Sequence, residues 1–244
     1  MGAAFSLRYV LAVLRPHGVV SLRVQPQSKA RVSLKHPPPS SLLGALSYSL
    51  AREDGREVVF RDGHVEPRSA EFRDLIEHVA VAVSGEGYSY GSLYKINEYY
   101  RGEALQAVTA LMNTFLYGEG DFAIKALFVL SGRCDGDCAR LVERAAWGIS
   151  RLGSRESLVS VERVSSGVGR VLAVDEVETE YSFEWREGVS LEGSYDVVFT
   201  ADWRSVLGNI ASAPRIRVVY PRGRVRVRGK GMKVFQFDEG VVVL

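Results

Sequence analysis

Apolar residues in this chain mostly come in short alternating or continuous blocks, and only two stretches space them at helical intervals. Residues 4–14 and 19–24 read as extended, broken at Arg15-Pro16-His17-Gly18. A polar loop, Gln25 to His36, follows. Pro37-Pro38-Pro39 then leads into Ser40 and Ser41, and Leu42, Leu43, Leu46 and Leu50 fall at helical spacing. Serine ahead of that periodicity predicts an N-capped helix over residues 40–52. Residues 55–68 look turn-rich, 70–77 suit a short helix and 79–83 a buried strand. The stretch from Gly85 to Gly120 lacks clean periodicity in its first half. Phe122 to Leu130 is apolar on both alternating faces, as a central strand covered on both sides requires. Asp135 or Asp137 can cap a second helix with the face Leu141, Val142, Ala145, Ile149 and Leu152, stopping at Gly153. Leu158 to Val164 predicts another strand, and only strand-like runs follow from Gly167 to Leu244.

In order these elements are strand, helix, strand, long insertion, strand, helix, strand, the split βαβ or ferredoxin-like arrangement that underlies many RNA-binding modules. The expected fold is therefore α+β. A ferredoxin-like domain spans 1–166, with an insertion at about 85–120, and a small β-rich region spans 167–244.

Composition supports a folded chain: of 244 residues, 46% are hydrophobic and 25% charged, with a net charge of +2. That excludes a disordered tail, a collagen and a disulfide scaffold. The early apolar run Tyr9–Leu14 is too short for a signal or membrane segment, so a cytoplasmic protein without membrane contact is expected. Twenty-five Arg against six Lys, with three Asn and four Gln, suggest a heat-adapted source.

The net charge hides a segregation. Met1 to Arg52 holds seven basic residues and no acid, and Pro214 to Phe237 holds eight and no acid. Glu53 to Glu143 has sixteen acidic against nine basic residues, and Val171 to Ala213 nine against two. Two unopposed basic zones are what a polyanion-binding surface leaves in a sequence, although solvated strand edges also carry charge.

Four groups can carry chemistry. Lys29, Arg31 and Lys35 precede the first helix, whose N-terminus with Ser40 and Ser41 favours an anion such as phosphate. Gly44 inside that helix suggests close approach of another backbone. Tyr88, Tyr90, Tyr94, Lys95, Tyr99, Tyr100 and Arg101 interleave rings with cations, as single-strand recognition does. Arg222, Arg224, Arg226 and Arg228 would form one ladder on a strand face, able to follow phosphates or to serve as a solvated edge. Cys134 and Cys138 lack the second Cys or His pair of a tetrahedral site, which leaves free thiols or a local disulfide and no metal or other cofactor. There is no G-x-S-x-G and no Walker loop; His36, beside Lys35 and near Tyr48, is the one general acid–base candidate.

Gln27-Ser28-Lys29-Ala30-Arg31, Pro37-Pro-Pro-Ser-Ser-Leu-Leu-Gly-Ala-Leu46 and Ile149-Ser-Arg-Leu-Gly-Ser-Arg-Glu-Ser-Leu-Val-Ser-Val161 resemble the Cas-five family of CRISPR-associated proteins, in its archaeal type I-A form. The resemblance implies a RAMP-type protein: a non-catalytic subunit of the Cascade interference complex that holds the 5′ handle of the crRNA. Its partners would be the backbone subunit, the large subunit and the helicase-nuclease proteins. The insertion would be the family's thumb. Gly153, Ser154 and Arg155 match the motif after the second helix, and Gly167 and Gly169 would be remnants of the glycine-rich RAMP pattern. One branch of the family cuts repeat RNA without metal, for which His36, Lys35 and Tyr48 are the available residues.

Overall fold

A computed structural model describes residues 5–22, 30–31, 34–56, 58–61, 64–94, 98–100, 103–105, 111–118, 120–153, 157–205 and 213–244. The chain opens with a long strand, Phe5–Pro16 (β1), then Val19–Val20 (β2), Ala30–Arg31 (β3) and the helix Pro39–Asp54 (α1). A hairpin of Val58–Arg61 (β4) and His64–Pro67 (β5) leads to a single helical turn, Ala70–Arg73 (α2), and to Ile76–Ser84 (β6). The insertion holds Gly87–Tyr94 (β7), Glu98–Tyr100 (β8), Glu103–Leu105 (β9) and Leu111–Gly118 (β10). Ala123–Leu130 (β11), Gly136–Trp147 (α3) and Val159–Thr179 (β12) follow. Phe183–Glu184 (β13), Ser190–Glu192 (β14), Tyr195–Ala201 (β15), Arg215–Pro221 (β16), Val225–Phe237 (β17) and Gly240–Val243 (β18) complete it.

The architecture is mixed and strand-rich. Its main sheet has the order β14-β17-β12-β1-β11-β6, with β18 also on β17, and every pairing is antiparallel. The strands β1, β6, β11 and β12, numbered one to four along the chain, lie in the order 4-1-3-2. Alternation makes β1 two-faced. Val10, Ala12 and Leu14 join the core under α1 and α3, with Leu42, Leu46, Val142 and Ala145. Leu7, Tyr9 and Leu11 join a second core with Tyr181, Phe235 and Phe237. That is why Phe122 to Leu130 reads as apolar on both faces: β11 sits between the same two cores.

Several local expectations are corrected. The first helix starts at Pro39 with Pro38 as N-cap and no side-chain cap, so Ser40 and Ser41 lie within the first turn. Proline at the first helical position costs no hydrogen bond there and brings a suitable φ. A Cβ on Gly44 would meet open space; the close helix approach is at Gly148, where a Cβ would run into Ser49 of α1. The second helix is capped by Asp135, which accepts from the Cys138 N–H at 2.9 Å, and ends at Trp147, short of Ile149 and Leu152. The short helix is 70–73, and its last two expected residues, Ile76 and Glu77, already belong to β6.

Position 167 falls inside β12, and β17, β14 and β18 continue the same sheet. The β-rich part also contains a separate three-stranded sheet, β13-β16-β15. Gly167 and Gly169 are packing positions within β12: a Cβ would meet the Tyr9 ring at 2.9 Å in one case and Gln236 O at 2.6 Å in the other.

Candidate nucleic-acid interface

The loop singled out in the sequence is closed at its base. The Leu34 N–H donates to Leu22 O at 2.9 Å, and the Ser21 N–H donates to Ser157 Oγ at 2.8 Å. Gly153 packs on the same spot, with φ of 77° and room for no Cβ: it would lie 2.8 Å from Ser21 O and 2.9 Å from Leu22 Cδ2. The Ile149–Val161 stretch thus packs on Ser21 and Leu22, at the base of the loop, although they lie more than a hundred residues apart. Lys29, Ser154 and Arg155 lie outside the described residues.

The insertion is tied to that loop by backbone pairing. β10 pairs with β7 over its whole length, with β2 at Leu116 and Tyr117, and in parallel with β3 at Met112 and Asn113, which faces Arg31. Tyr88, Tyr90 and Tyr94 take positions of the same parity in β7, opposite Tyr117, Phe115 and Leu111. Lys95 and Arg101 lie outside the described residues.

A cleft of about 470 Å³ opens where three of the candidate segments converge: Lys35 and His36 before α1, Gly85 and Gly87 at the root of the insertion, and Arg222 and Gly223 before β17. Gly85 is required there, because at φ of 86° a Cβ would come within 2.8 Å of the Phe122 Cα. His36 is buried and stacks on Tyr220, with ring centroids 5.1 Å apart and planes inclined by 17°. Burial, reinforced by Lys35 and Arg222 and opposed by Asp196, lowers its pKa to about 4, so it is neutral at physiological pH. Tyr220 buries its hydroxyl without a hydrogen-bond partner among the described residues, and burial pushes that phenol up. Arg222 holds Asp196 through two hydrogen bonds of 2.8 and 2.5 Å, which keep that carboxyl below its ordinary range. Glu180, also at the cleft, is paired with Lys125 at 2.8 Å, whereas Lys35 is exposed. The cleft therefore presents the exposed cation Lys35, a guanidinium already held by Asp196, a neutral ring stack and a second acid already engaged. Tyr48 does not line it; its ring lies under the Arg151 guanidinium, 4.0 Å from the ring centroid.

The ladder of four arginines is not one face. Arg222 and Arg224 precede β17, and only Arg226 and Arg228 stand on it. These two are opposed across the sheet by acids of β12 and β14. Arg226 reaches Glu178 at 2.8 Å and Glu176 at 3.3 Å, Arg228 reaches Glu176 at 2.8 Å, and both approach Glu192, at 3.8 and 3.5 Å. Sequence reasoning missed Asp196, Tyr220, Glu180 and these glutamates, because each meets its partner only across long stretches of chain that the fold brings together. The Cys134–Cys138 pair forms a disulfide at the start of α3.

Comparison with protein-family models finds no match, and comparison with curated proteins finds none. Among solved structures, a CRISPR protein from Archaeoglobus fulgidus is similar over 97% of this chain and 99% of that one, with a TM-score of 0.67 and 19% sequence identity. The fold is shared. At that identity the likeness concerns architecture and carries no residue roles.

Proposed function

We propose that this chain is a non-catalytic crRNA-binding subunit of a type I-A CRISPR Cascade complex that holds the 5′ handle of the crRNA and serves antiviral defence. The observation that carries the reading is the convergence of the basic loop, the insertion and the Arg222 corner on one cleft. The 4-1-3-2 order of the core strands suits a ferredoxin-like RAMP domain, and the likeness in fold to a CRISPR protein supports a role in such a system. The insertion acts as a thumb over the RNA, and Lys35 with the first turn of α1 receives phosphate. The surfaces left over meet the backbone subunit, the large subunit and the helicase-nuclease proteins. His36 is a poor base, since its pKa of about 4 leaves little driving force for proton abstraction and Tyr48 is elsewhere.

Filter binding of the full chain, with its backbone partner, to a repeat-derived 5′ handle tests the reading. Preference over a scrambled RNA is expected, and equal affinity would sink it. Incubation with repeat RNA in EDTA should leave the RNA intact.

A further inference from the structure

The three-stranded sheet β13-β16-β15 has one face that begins buried and ends exposed. Phe183 and Val219 sit in the core against β17, at 3% and 0% exposure. Further along the same face Phe199 is 60% exposed and Val197 41% exposed, on β15. Strand register puts Arg217 directly opposite Phe199 and Arg215 opposite Ala201, and both arginines are exposed. On the other side of Arg217, the Trp185 N–H donates to Arg217 O at 2.8 Å, which continues the row as Trp185, Arg217, Phe199.

The row is also unopposed in charge. Arg15, Arg163, Arg222, Arg226 and Arg228 each hold an acidic partner. Arg215 and Arg217 have none among the described residues. The acids on these three strands, Glu184 and Asp196, fall on the opposite parity and are engaged by Arg204 and Arg222. An exposed ring beside two unopposed arginines, whose Cα atoms are about 7 Å apart along one strand, suits an unpaired base flanked by its phosphates. A protein partner of acidic character would have no use for the flat ring, and an apolar one would leave the two cations unmatched.

We infer that this face is a stacking platform for single-stranded nucleic acid, with Phe199 under a base and Arg215 and Arg217 on the adjoining phosphates. It lies at the opposite end of β16 from the Arg222 corner and does not depend on handle recognition.

The test is binding of the full chain to a short fluorescein-labelled oligouridylate, with photo-crosslinking of its 4-thiouridine form and mapping of the joined peptide. The crosslink should map to the peptide containing Phe199. Phe199→Ala should weaken binding roughly tenfold, while Phe199→Trp keeps it. Arg215→Gln with Arg217→Gln should weaken it too, and lower the salt slope by about 0.7 for each phosphate no longer neutralised. Unchanged affinity in Phe199→Ala, or crosslinks confined to other peptides, would overturn the inference and leave the face to a protein partner. Circular dichroism melts check that the variants are folded, as expected for so exposed a side chain. The probe lacks the handle, so the two readings separate. Handle preference without the Phe199 effect retains the proposed function alone, and the Phe199 effect without handle preference retains this inference alone.

Discussion

The basic stretch from Met1 to Arg52 and the one from Pro214 to Phe237 look alike in sequence, each without an acid, yet Lys35 of the first and the β17 arginines of the second fold into opposite circumstances. In the C-terminal stretch, β17 is flanked by β12 and β14, which come from the acidic zone, and Arg226 and Arg228 are met by Glu176, Glu178 and Glu192. The N-terminal stretch leaves Lys35 exposed at the mouth of a cleft. In an antiparallel sheet the neighbours in space are other strands, so zones of opposite sign along the chain become matched pairs across it. Charge zoning in a β-rich sequence therefore reports pairing as readily as it reports a binding face.

Acid acts on the seam between the two stretches. His36 lies between Lys35 of the first and Arg222 of the second, and its pKa is about 4 when folded against about 6.5 when unfolded. As the pH falls below about 6.5 the unfolded chain takes up this proton first, so stability falls from there down to about pH 4 and changes little below. The loss approaches roughly 3 kcal/mol. His78, buried with an Nε2 that has no partner among the described residues and lowered by burial and by Arg204 and Arg186 to about 3, adds a larger loss over a wider window. Urea midpoints at neutral and mildly acid pH should show this decline. His36→Phe, which keeps a ring against Tyr220, should flatten it between pH 6.5 and 4; a profile as steep as the parent's would remove His36 from the account.

Next in size is Gly153→Ala. A left-handed φ and a Cβ pressed against Ser21 O should cost about 2 kcal/mol, read as a lower urea midpoint. Handle affinity should fall with it, because the same packing closes the loop that anchors β10. A variant destabilised without any change in affinity would uncouple that loop base from binding.

What could be read from the sequence was local. The leucines of α1, the face of α3 and the two-sided apolar run of β11 repeat within a few residues, and each is present. The predicted ends failed where tertiary contacts decide them. β12 runs past the predicted strand end at Val164 through Ser165, Ser166, Gly167 and Gly169, because the two glycines make room for the Tyr9 and Phe235 rings. The residues of the cleft were half legible: Lys35, His36 and Arg222 stood out by type. Their neighbours Tyr220 and Asp196 carry no local signal, since β16 and β15 bring them there from strands that look ordinary.

Lys35→Ala sharpens the comparison from the side of the exposed cation. Handle affinity should drop by about threefold to tenfold, with the salt slope smaller by roughly 0.7, as when one phosphate of a single strand is no longer neutralised. The melting midpoint should stay put, because the side chain is exposed. An unchanged slope would mean that Lys35 faces no phosphate and that the N-terminal stretch, too, serves the fold.

The smallest effect is the one that can break the comparison. Arg226 is satisfied by Glu178 at 2.8 Å, Glu176 at 3.3 Å and Glu192 at 3.8 Å, so its charge is matched before any RNA arrives. Arg226→Ala should change handle affinity less than about twofold and leave the salt slope where it was, because a guanidinium already paired with carboxylates releases no counterion from the RNA. The pair is exposed, and exposed pairs contribute little to stability, so the melt should also be nearly unchanged. Glu178→Gln with Glu192→Gln is the sharper half of the experiment: it frees Arg226 and Arg228 without touching them. If β17 borders the RNA path, affinity should then rise and the slope steepen. If the strand lies away from it, nothing should change. A large drop in affinity for Arg226→Ala itself would show that the glutamates hold the guanidinium in place for phosphate, and the contrast between the two basic stretches would disappear.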